Sequence, residues 1–334
     1  MNIAYFFQEP WEEAYVRKAL QGDAINFHSG SLSDNPSVED AEATALSIFV
    51  NSGVGEAELE RFPKVKLIAT RSTGFDHVDL AAAKKRGIII STVPFYGENT
   101  VAEFTFALIL ALSRRVAEAN RRVVETGAFS QENLRGFDLE GKTIGIVGGG
   151  HIGIRVVKIA KGFGMKGVMY DPFPNEQFAK ESGFVYMSLD EVLANADVVT
   201  LHCPLTAQTR HLINKGNIEK IKRGAYLVNT ARGPIVETEA LVDALQRGII
   251  AGAGLDVLEE EGETKDELNT LAFGHPKEDA LKVMLRNHEL MHMPNVLITP
   301  HNAFNSQEAM ERILHTTVEN IKSFIAGAPT SVVQ

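Results

Sequence analysis

Short apolar runs that end in polar or glycine-rich turns alternate with segments of helical period along most of the chain. Ile3–Phe7, Leu46–Val50, Leu67–Thr70, Ile88–Ser91, Thr143–Val147, Gly167–Tyr170, Val198–His202, Ala225–Asn229, Ala251–Asp256 and Val296–Ile298 read as strands. Strands alternating with helical segments are the pattern of a parallel sheet with crossover helices, so the chain is expected to be α/β. The organisation changes near residue 100. There Tyr96-Gly97-Glu98-Asn99 precedes a long apolar helix over Val101–Leu112, which Thr100-Val101-Ala102-Glu103 opens as a capping box. Four strand–helix units come before it, and a helix from about Gln307 to Ile325 is expected to return to them. Glu259–Pro294, charged and His-rich, reads as an irregular insertion within the second domain.

Composition narrows what such a protein can do. The 334 residues, 44% of them hydrophobic, suffice for roughly two domains of ~150 residues. The net charge is −10, with Lys and Arg mixed among the acids and no basic block, which argues against a nucleic-acid or membrane-surface partner and for small molecules. Cys203 is the only cysteine, so no intrachain disulfide can form. Met1-Asn2-Ile3-Ala4-Tyr5-Phe6-Phe7 lacks a basic leader and stops at Gln8-Glu9, as a strand does and a signal peptide does not. The apolar helix carries Glu103 and is well short of the ~20 residues that span a bilayer. A cytoplasmic protein is expected.

The strand Thr143–Val147 runs directly into Gly148-Gly149-Gly150-His151-Ile152-Gly153, after which Ile154–Phe163 continue as a helix. In that context Gly148 permits a tight turn, Gly150 lets the backbone approach a pyrophosphate, and Gly153 lets helix and strand pack closely. The string alone is weak in a chain with 28 glycines. It is strengthened by Asp171, which ends the next strand about 20 residues on, where a carboxylate can accept from the adenosine ribose hydroxyls. Pro172-Phe173-Pro174-Asn175 follow, without a cation for a 2′-phosphate, so NAD is favoured over NADP.

Ligand chemistry in open α/β sheets sits beyond the carboxyl ends of strands. Three polar residues stand at such ends in the second half. Arg232, in Asn229-Thr230-Ala231-Arg232-Gly233-Pro234, has the planar fork that can hold the carboxylate and carbonyl of a 2-keto acid. Glu261 ends Gly254-Leu255-Asp256-Val257-Leu258-Glu259-Glu260-Glu261, where a run of glutamates is more often a solvated turn. His301 follows Val296-Leu297-Ile298-Thr299-Pro300, and a lone histidine at a strand end is more often structural.

Taken together, these motifs resemble the D-isomer-specific 2-hydroxyacid dehydrogenases in order and approximate spacing. The resemblance runs over essentially the whole chain. Beyond the glycine motif and Asp171 it takes in Leu201-His202-Cys203-Pro204-Leu205-Thr206, Asn229-Thr230-Ala231-Arg232-Gly233, Gly254-Leu255-Asp256-Val257 and Thr299-Pro300-His301. Arg71-Ser72-Thr73-Gly74-Phe75-Asp76-His77-Val78-Asp79 and Val93-Pro94-Phe95-Tyr96 extend it into the first domain, and within the family it is closest to the D-lactate dehydrogenases.

The resemblance implies two doubly wound parallel-sheet domains, a Rossmann-type nucleotide domain over 100–300 inserted in a flavodoxin-like substrate domain made of 1–99 and 301–334. It implies NAD as cofactor, held by Gly148, Gly150, His151, Ile152, Gly153, Asp171, Cys203, Pro204, Thr230, Ala231 and Asp256. His301 would be the acid/base, Glu261 its partner, Arg232 the substrate-orienting cation and Asp256 a carboxylate behind them. The Thr73-Gly74 turn would receive the substrate carboxylate, and Tyr96 and Phe304 would line the substrate pocket. A small 2-keto acid, foremost pyruvate yielding D-lactate, and a homodimer are the implied substrate and assembly. The chemistry agrees: keto-acid reduction builds negative charge on the carbonyl oxygen, which calls for a proton donor and a cation there. The segment 262–294 departs from the family pattern, which puts the pocket's edge and the substrate's size in question.

His288-Glu289-Leu290-Met291-His292 spells the H-E-x-x-H of zinc peptidases. Met293-Pro294 breaks the helix one residue after the second histidine, and the strand ends already account for a different chemistry. No metal is expected. A regulatory protein that senses NAD on the same fold is the other alternative, against which the complete Arg/Glu/His set counts.

Overall fold

The computed structural model describes residues 1–261 and 278–333. The chain divides into two compact units, Met1–Gly97 with Asn305–Gln334, and Glu98–Phe304.

In the first unit β1 (Asn2–Phe7), β2 (Ala24–Ser29), β3 (Ala45–Ile48), β4 (Leu67–Thr70) and β5 (Ile89–Ser91) form a parallel sheet in the order β2-β1-β3-β4-β5. This is the flavodoxin-like doubly wound order. Alternate residues of each strand face opposite sides, so each face has its own core. Ala4, Phe6, Leu46, Ile48 and Ile68 bury against Leu59 and Phe62 on one side. Ile3, Tyr5, Ala45 and Leu67 bury against Leu314, Val318 and Ile321 on the other. Those last three belong to the helix Gln307–Ile325, which Ser306 caps through Ala309 N, so the C-terminal helix does return to the first unit. β2 was not among the expected strands: its residues are half-exposed and include Asn26, His28 and Ser29, the profile of an edge.

The second unit holds β6 (Thr143–Val147), β7 (Lys166–Tyr170), β8 (Val185–Tyr186), β9 (Val198–Leu201), β10 (Ala225–Asn229), β11 (Ile250–Leu255) and β12 (Val296–Ile298). They pair in parallel in the order β12-β11-β10-β9-β6-β7-β8. The chain starts at β6, winds outward to β8, then crosses back to β9 and winds the other way. This is the Rossmann order, and its switch point lies between β6 and β9.

Two local expectations change. The apolar helix runs Glu98–Ser113, two residues earlier than its proposed cap, so Thr100 lies inside the first turn and Asn99 bonds Glu103 instead. Glu98 supplies the acidic first turn that suits a helix dipole. The stretch taken as an irregular insertion ends in a regular helix, Glu278–His292, which buries Met284, Asn287 and Leu290 and carries the i,i+4 ion pair Glu278–Lys282. Residues 262–277 lie outside the described ones. No helix among the described residues is long and apolar enough to cross a membrane.

Candidate active site

β6 delivers the chain to Gly148, whose φ of +105° is open to glycine and strained for other residues. A Cβ there would stand 2.7 Å from Cys203 N, so the turn and the end of β9 close on each other at the switch point. A Cβ on Gly153 would stand 2.1 Å from the Gly148 carbonyl oxygen, which is why helix and strand can meet. Gly150 differs: nothing lies within 4 Å of where its Cβ would be. It is also the N-cap of the helix His151–Gly162 and brings no side chain to cap it. An open position beside a helix N-terminus without a side-chain cap fits the pyrophosphate of a dinucleotide. Ile152 packs into the core below.

Asp171 directly follows β7 and is fixed by the same turn. Its Oδ2 accepts from Gly149 N at 2.7 Å and its Oδ1 from Phe173 N at 2.8 Å. Across the turn, burial pushes the Cys203 thiol up to about 11, which favours the protonated form. Burial pushes the His202 imidazole down to about 3, and its Nε2 lies 2.9 Å from Thr200 Oγ1.

The turn after β10 is built by Asn229. Its Oδ1 accepts from Ala231 N at 3.0 Å and its Nδ2 donates to the Arg232 carbonyl at 2.9 Å, an Asx-type turn that fixes the two residues between strand and Arg232. Thr230 Oγ1 lies 3.0 Å from Thr105 Oγ1 on the helix Glu98–Ser113. The Arg232 guanidinium donates to the Ala231 carbonyl at 2.7 Å. Gly233 then lies against the backbone of the next loop: a Cβ would stand 1.9 Å from the Leu258 carbonyl carbon. Pro204, in the loop after β9, accepts from Thr209 Oγ1.

The loop after β11 meets the loop after β12 through two carboxylates. Asp256 is 1% exposed. It accepts from Thr299 Oγ1 and from the backbone N–H groups of Asn302 and Ala303, both at 2.8 Å. Burial raises its pKa, and these bonds work in the opposite direction. His301, at φ +52°, donates its own N–H to the Asp256 carbonyl at 2.8 Å. Its Nδ1 stands 3.0 Å from Glu261 Oε2, while Glu261 Oε1 accepts from Leu258 N at 3.0 Å. The Phe304 ring stands edge-on to the imidazole at 6.3 Å. The second unit thus brings His301, Glu261, Asp256 and Phe304 together and sets the Arg232 turn against the loop that carries Glu261.

In the first unit Thr73 Oγ1 donates to the Val93 carbonyl at 2.7 Å, and Ser72 Oγ to the Gly74 carbonyl at 2.6 Å. Among the described residues, neither the Thr73 nor the Gly74 N–H donates to another group. The Tyr96 carbonyl accepts from Arg312 Nε at 2.7 Å.

Asn229, Thr105 and Gly233 were not singled out from sequence. The Asn229 signal was available in its place two residues before Ala231; the other two depend on packing. His288 and His292 do share a helix face, with rings 4.4 Å apart, but His292 Nδ1 is bonded to the His288 carbonyl and Glu289 to Arg286. Among the described residues no three His, Cys, Asp or Glu side chains are grouped to hold a metal.

Residues 106–303 match the family described as the D-isomer specific 2-hydroxyacid dehydrogenase, NAD binding domain. A protein of Aspergillus oryzae called 2-hydroxyacid dehydrogenase A is 39% identical over 97% of this chain and 92% of its own length. The D-lactate dehydrogenase of Escherichia coli is 34% identical over 98% of both chains. Among solved structures, that of D-lactate dehydrogenase from Aquifex aeolicus, complexed with NAD and lactic acid, superposes with a TM-score of 0.83. It is 37% identical over 98% of this chain and 96% of its own.

Proposed function

The chain belongs to the D-isomer specific 2-hydroxyacid dehydrogenase family and is an NAD-dependent enzyme of that kind, and from this premise we propose that it reduces pyruvate to D-lactate, reversibly, with His301 as the acid/base. The observation that carries the reading is the 3.0 Å contact between His301 Nδ1 and Glu261 Oε2 at the ends of β12 and β11.

A nicotinamide dinucleotide held at the Gly148–Gly153 turn would supply the hydride that the keto carbon accepts. As charge develops on the keto oxygen, His301 gives it a proton from Nε2, the nitrogen left for substrate once Glu261 holds Nδ1. The Glu261 carboxylate, 3.0 Å from Nδ1, holds the ring with Nε2 turned away from it. Arg232 offsets the growing charge and holds the substrate by its forked guanidinium. Asp256 does not reach for substrate; it fixes the turn on which His301 sits. In the nucleotide domain, Gly148, Gly150, His151, Ile152 and Gly153 receive the pyrophosphate and Asp171 the ribose, with Cys203, Pro204, Thr230, Ala231 and Asp256 as further cofactor residues. In the substrate domain, the Thr73 and Gly74 N–H groups are assigned to the substrate carboxylate and Tyr96 to its side chain. Phe304 has the same assignment in the second unit.

A small side chain on the acid is supported by the two aromatic residues and by the solved relative that holds lactic acid. The same reading makes the protein a cytoplasmic homodimer that prefers NADH to NADPH, because Asp171 would face a 2′-phosphate with like charge. A panel of pyruvate, phenylpyruvate, glyoxylate, hydroxypyruvate and 4-methyl-2-oxopentanoate, followed by loss of NADH absorbance with chiral analysis of the product, tests it. Pyruvate should be among the best substrates and D-lactate the product; formation of L-lactate would sink the proposal.

A further inference from the structure

The three glutamates after Leu258 occupy three different environments. Glu259 is 4% exposed. Its Oε2 accepts from the N–H of Thr238 at 3.0 Å and from Thr238 Oγ1 at 2.7 Å. His211 Nε2 lies 2.7 Å from Oε1, with Arg210 Nη2 at 3.8 Å from the same oxygen. The Glu259 carbonyl in turn accepts from Asn287 Nδ2 at 2.7 Å. One residue therefore ties together the loop before β10, the start of the helix Thr238–Gln246 and the helix Glu278–His292. Both partners of Oε2 are donors from Thr238, and His211 Nε2 can donate to Oε1 in one of its tautomers, a set that an acceptor-only carboxylate satisfies.

Glu260, next along the chain, has φ +52°. A non-glycine residue in the left-handed region is strained and persists only where its surroundings over-determine it. Here the fixed neighbours are Glu259 on one side and Glu261 on the other. Glu261 spans Leu258 N and His301 Nδ1, both at 3.0 Å. The reversal at Glu260 sends one carboxylate inward and the next toward His301. The missing Cβ of Gly233, 1.9 Å from Leu258, lets the chain reach that point.

We propose that Glu259 is a positioning residue for the reaction: its buried carboxylate anchors the left-handed turn at Glu260 that aims Glu261 at His301. The inference rests on the reading of Glu261 as the partner of His301. It gives the glutamate run a division of labour, in which the first member acts on rate only through the third.

A double-mutant cycle on kcat tests it, using Glu259→Gln, Glu261→Gln and the double variant with NADH and the best acid of the panel. Each single variant should lower kcat by about 10-fold or more, because proton donation is detuned. The KM for NADH should stay within about 2-fold, and the double variant should be no slower than Glu261→Gln alone, the non-additivity expected of residues acting as one unit. Thr238→Val, which removes only the hydroxyl donor, should show the same dependence on Glu261 at smaller amplitude and serves if Glu259→Gln fails to fold. Multiplying effects, or a wild-type kcat with a lowered melting temperature in Glu259→Gln, would overturn the proposal and leave Glu259 a purely structural residue. A wild-type kcat in Glu261→Gln sinks the parent reading as well, whereas a slow Glu261→Gln beside a normal Glu259→Gln sinks this proposal alone.

Discussion

Glu261 Oε2 lies 3.0 Å from His301 Nδ1, although the two residues are 40 apart in sequence and sit beyond different strands. Parallel topology is the cause. β11 and β12 are neighbours in the sheet, so their carboxyl ends open side by side and anything just beyond both can meet. Asp256 completes the arrangement by drawing the backbone of Asn302 and Ala303 toward the end of β11.

If the pair works as proposed, Glu261→Gln removes a charge while nearly conserving shape. Its kcat for keto-acid reduction should fall by about 10- to 100-fold, because Nδ1 loses the carboxylate that holds the ring for donation from Nε2. His301→Ala should lose about 10² to 10⁴ at every pH, because the proton donor is gone rather than detuned. Steady-state rates across pH check both. A Glu261→Gln enzyme with an unchanged profile and normal rates would leave Glu261 without a part in the reaction.

The glycine turn separates a binding role from a folding role. Gly150 has open space at its Cβ and Gly153 has a carbonyl at 2.1 Å. Gly150→Val should therefore fold with a melting temperature within about 4 °C of the parent, a shift worth less than roughly 1–2 kcal/mol in a chain of this size, while weakening NADH by about 10-fold or more through loss of backbone approach. Gly153→Val should fail first as a fold. Melting curves alongside NADH fluorescence titration distinguish them, and equal NADH affinity in Gly150→Val would show that no cofactor passes that point.

The strand–turn–helix of the nucleotide site and the polar residues at three strand ends were legible because their signals are local: apolar runs, glycines at fixed spacing, a charge just past a strand. β2 and β8 were not, since short edge strands with exposed or polar positions lack an apolar run. Nor does a run of three identical glutamates say which one is buried. That depends on Glu260 turning left-handed and on Thr238, His211 and Asn287 arriving from elsewhere in the chain. The Glu278–His292 helix was obscured by its charge, which in the structure includes i,i+4 pairing along an exposed face.

A second long-range pair predicts a stability effect. Arg71 and Glu12 are 1% and 0% exposed and meet at 2.6 Å, with the Arg71 guanidinium 4.6 Å from the Tyr5 ring centre. Glu12 also accepts from Gln8 N and Glu9 N at the start of its helix. Arg71→Met leaves that carboxylate buried without its cation and should cost about 3–5 kcal/mol in denaturant unfolding. Adding Glu12→Gln removes the orphaned charge while keeping an acceptor for the helix start, so the double variant should be more stable than Arg71→Met alone. Additive losses would mean that the two residues act independently.

The last prediction concerns acid stability and follows from His202. Burial holds its imidazole near 3 in the folded protein, against about 6.5 for an unperturbed histidine. Between those values the unfolded chain takes up a proton that the folded chain refuses, so the contribution of this group is complete above about pH 6.5 and is lost as pH falls. Each pH unit in that window removes about 1.4 kcal/mol. His202→Gln cannot titrate and can still bond Thr200. It should start no more stable than the parent at pH 7 and gain on it by about 2 kcal/mol between pH 6.5 and pH 4.5, somewhat less than two full units because the unfolded imidazole is already half protonated at pH 6.5. Urea unfolding at several pH values reads the difference directly, and acid titration of the carboxylates, common to both proteins, cancels from it. Parallel stability curves for the two proteins would mean that His202 binds its proton in the folded state and is not the buried neutral ring that its surroundings impose.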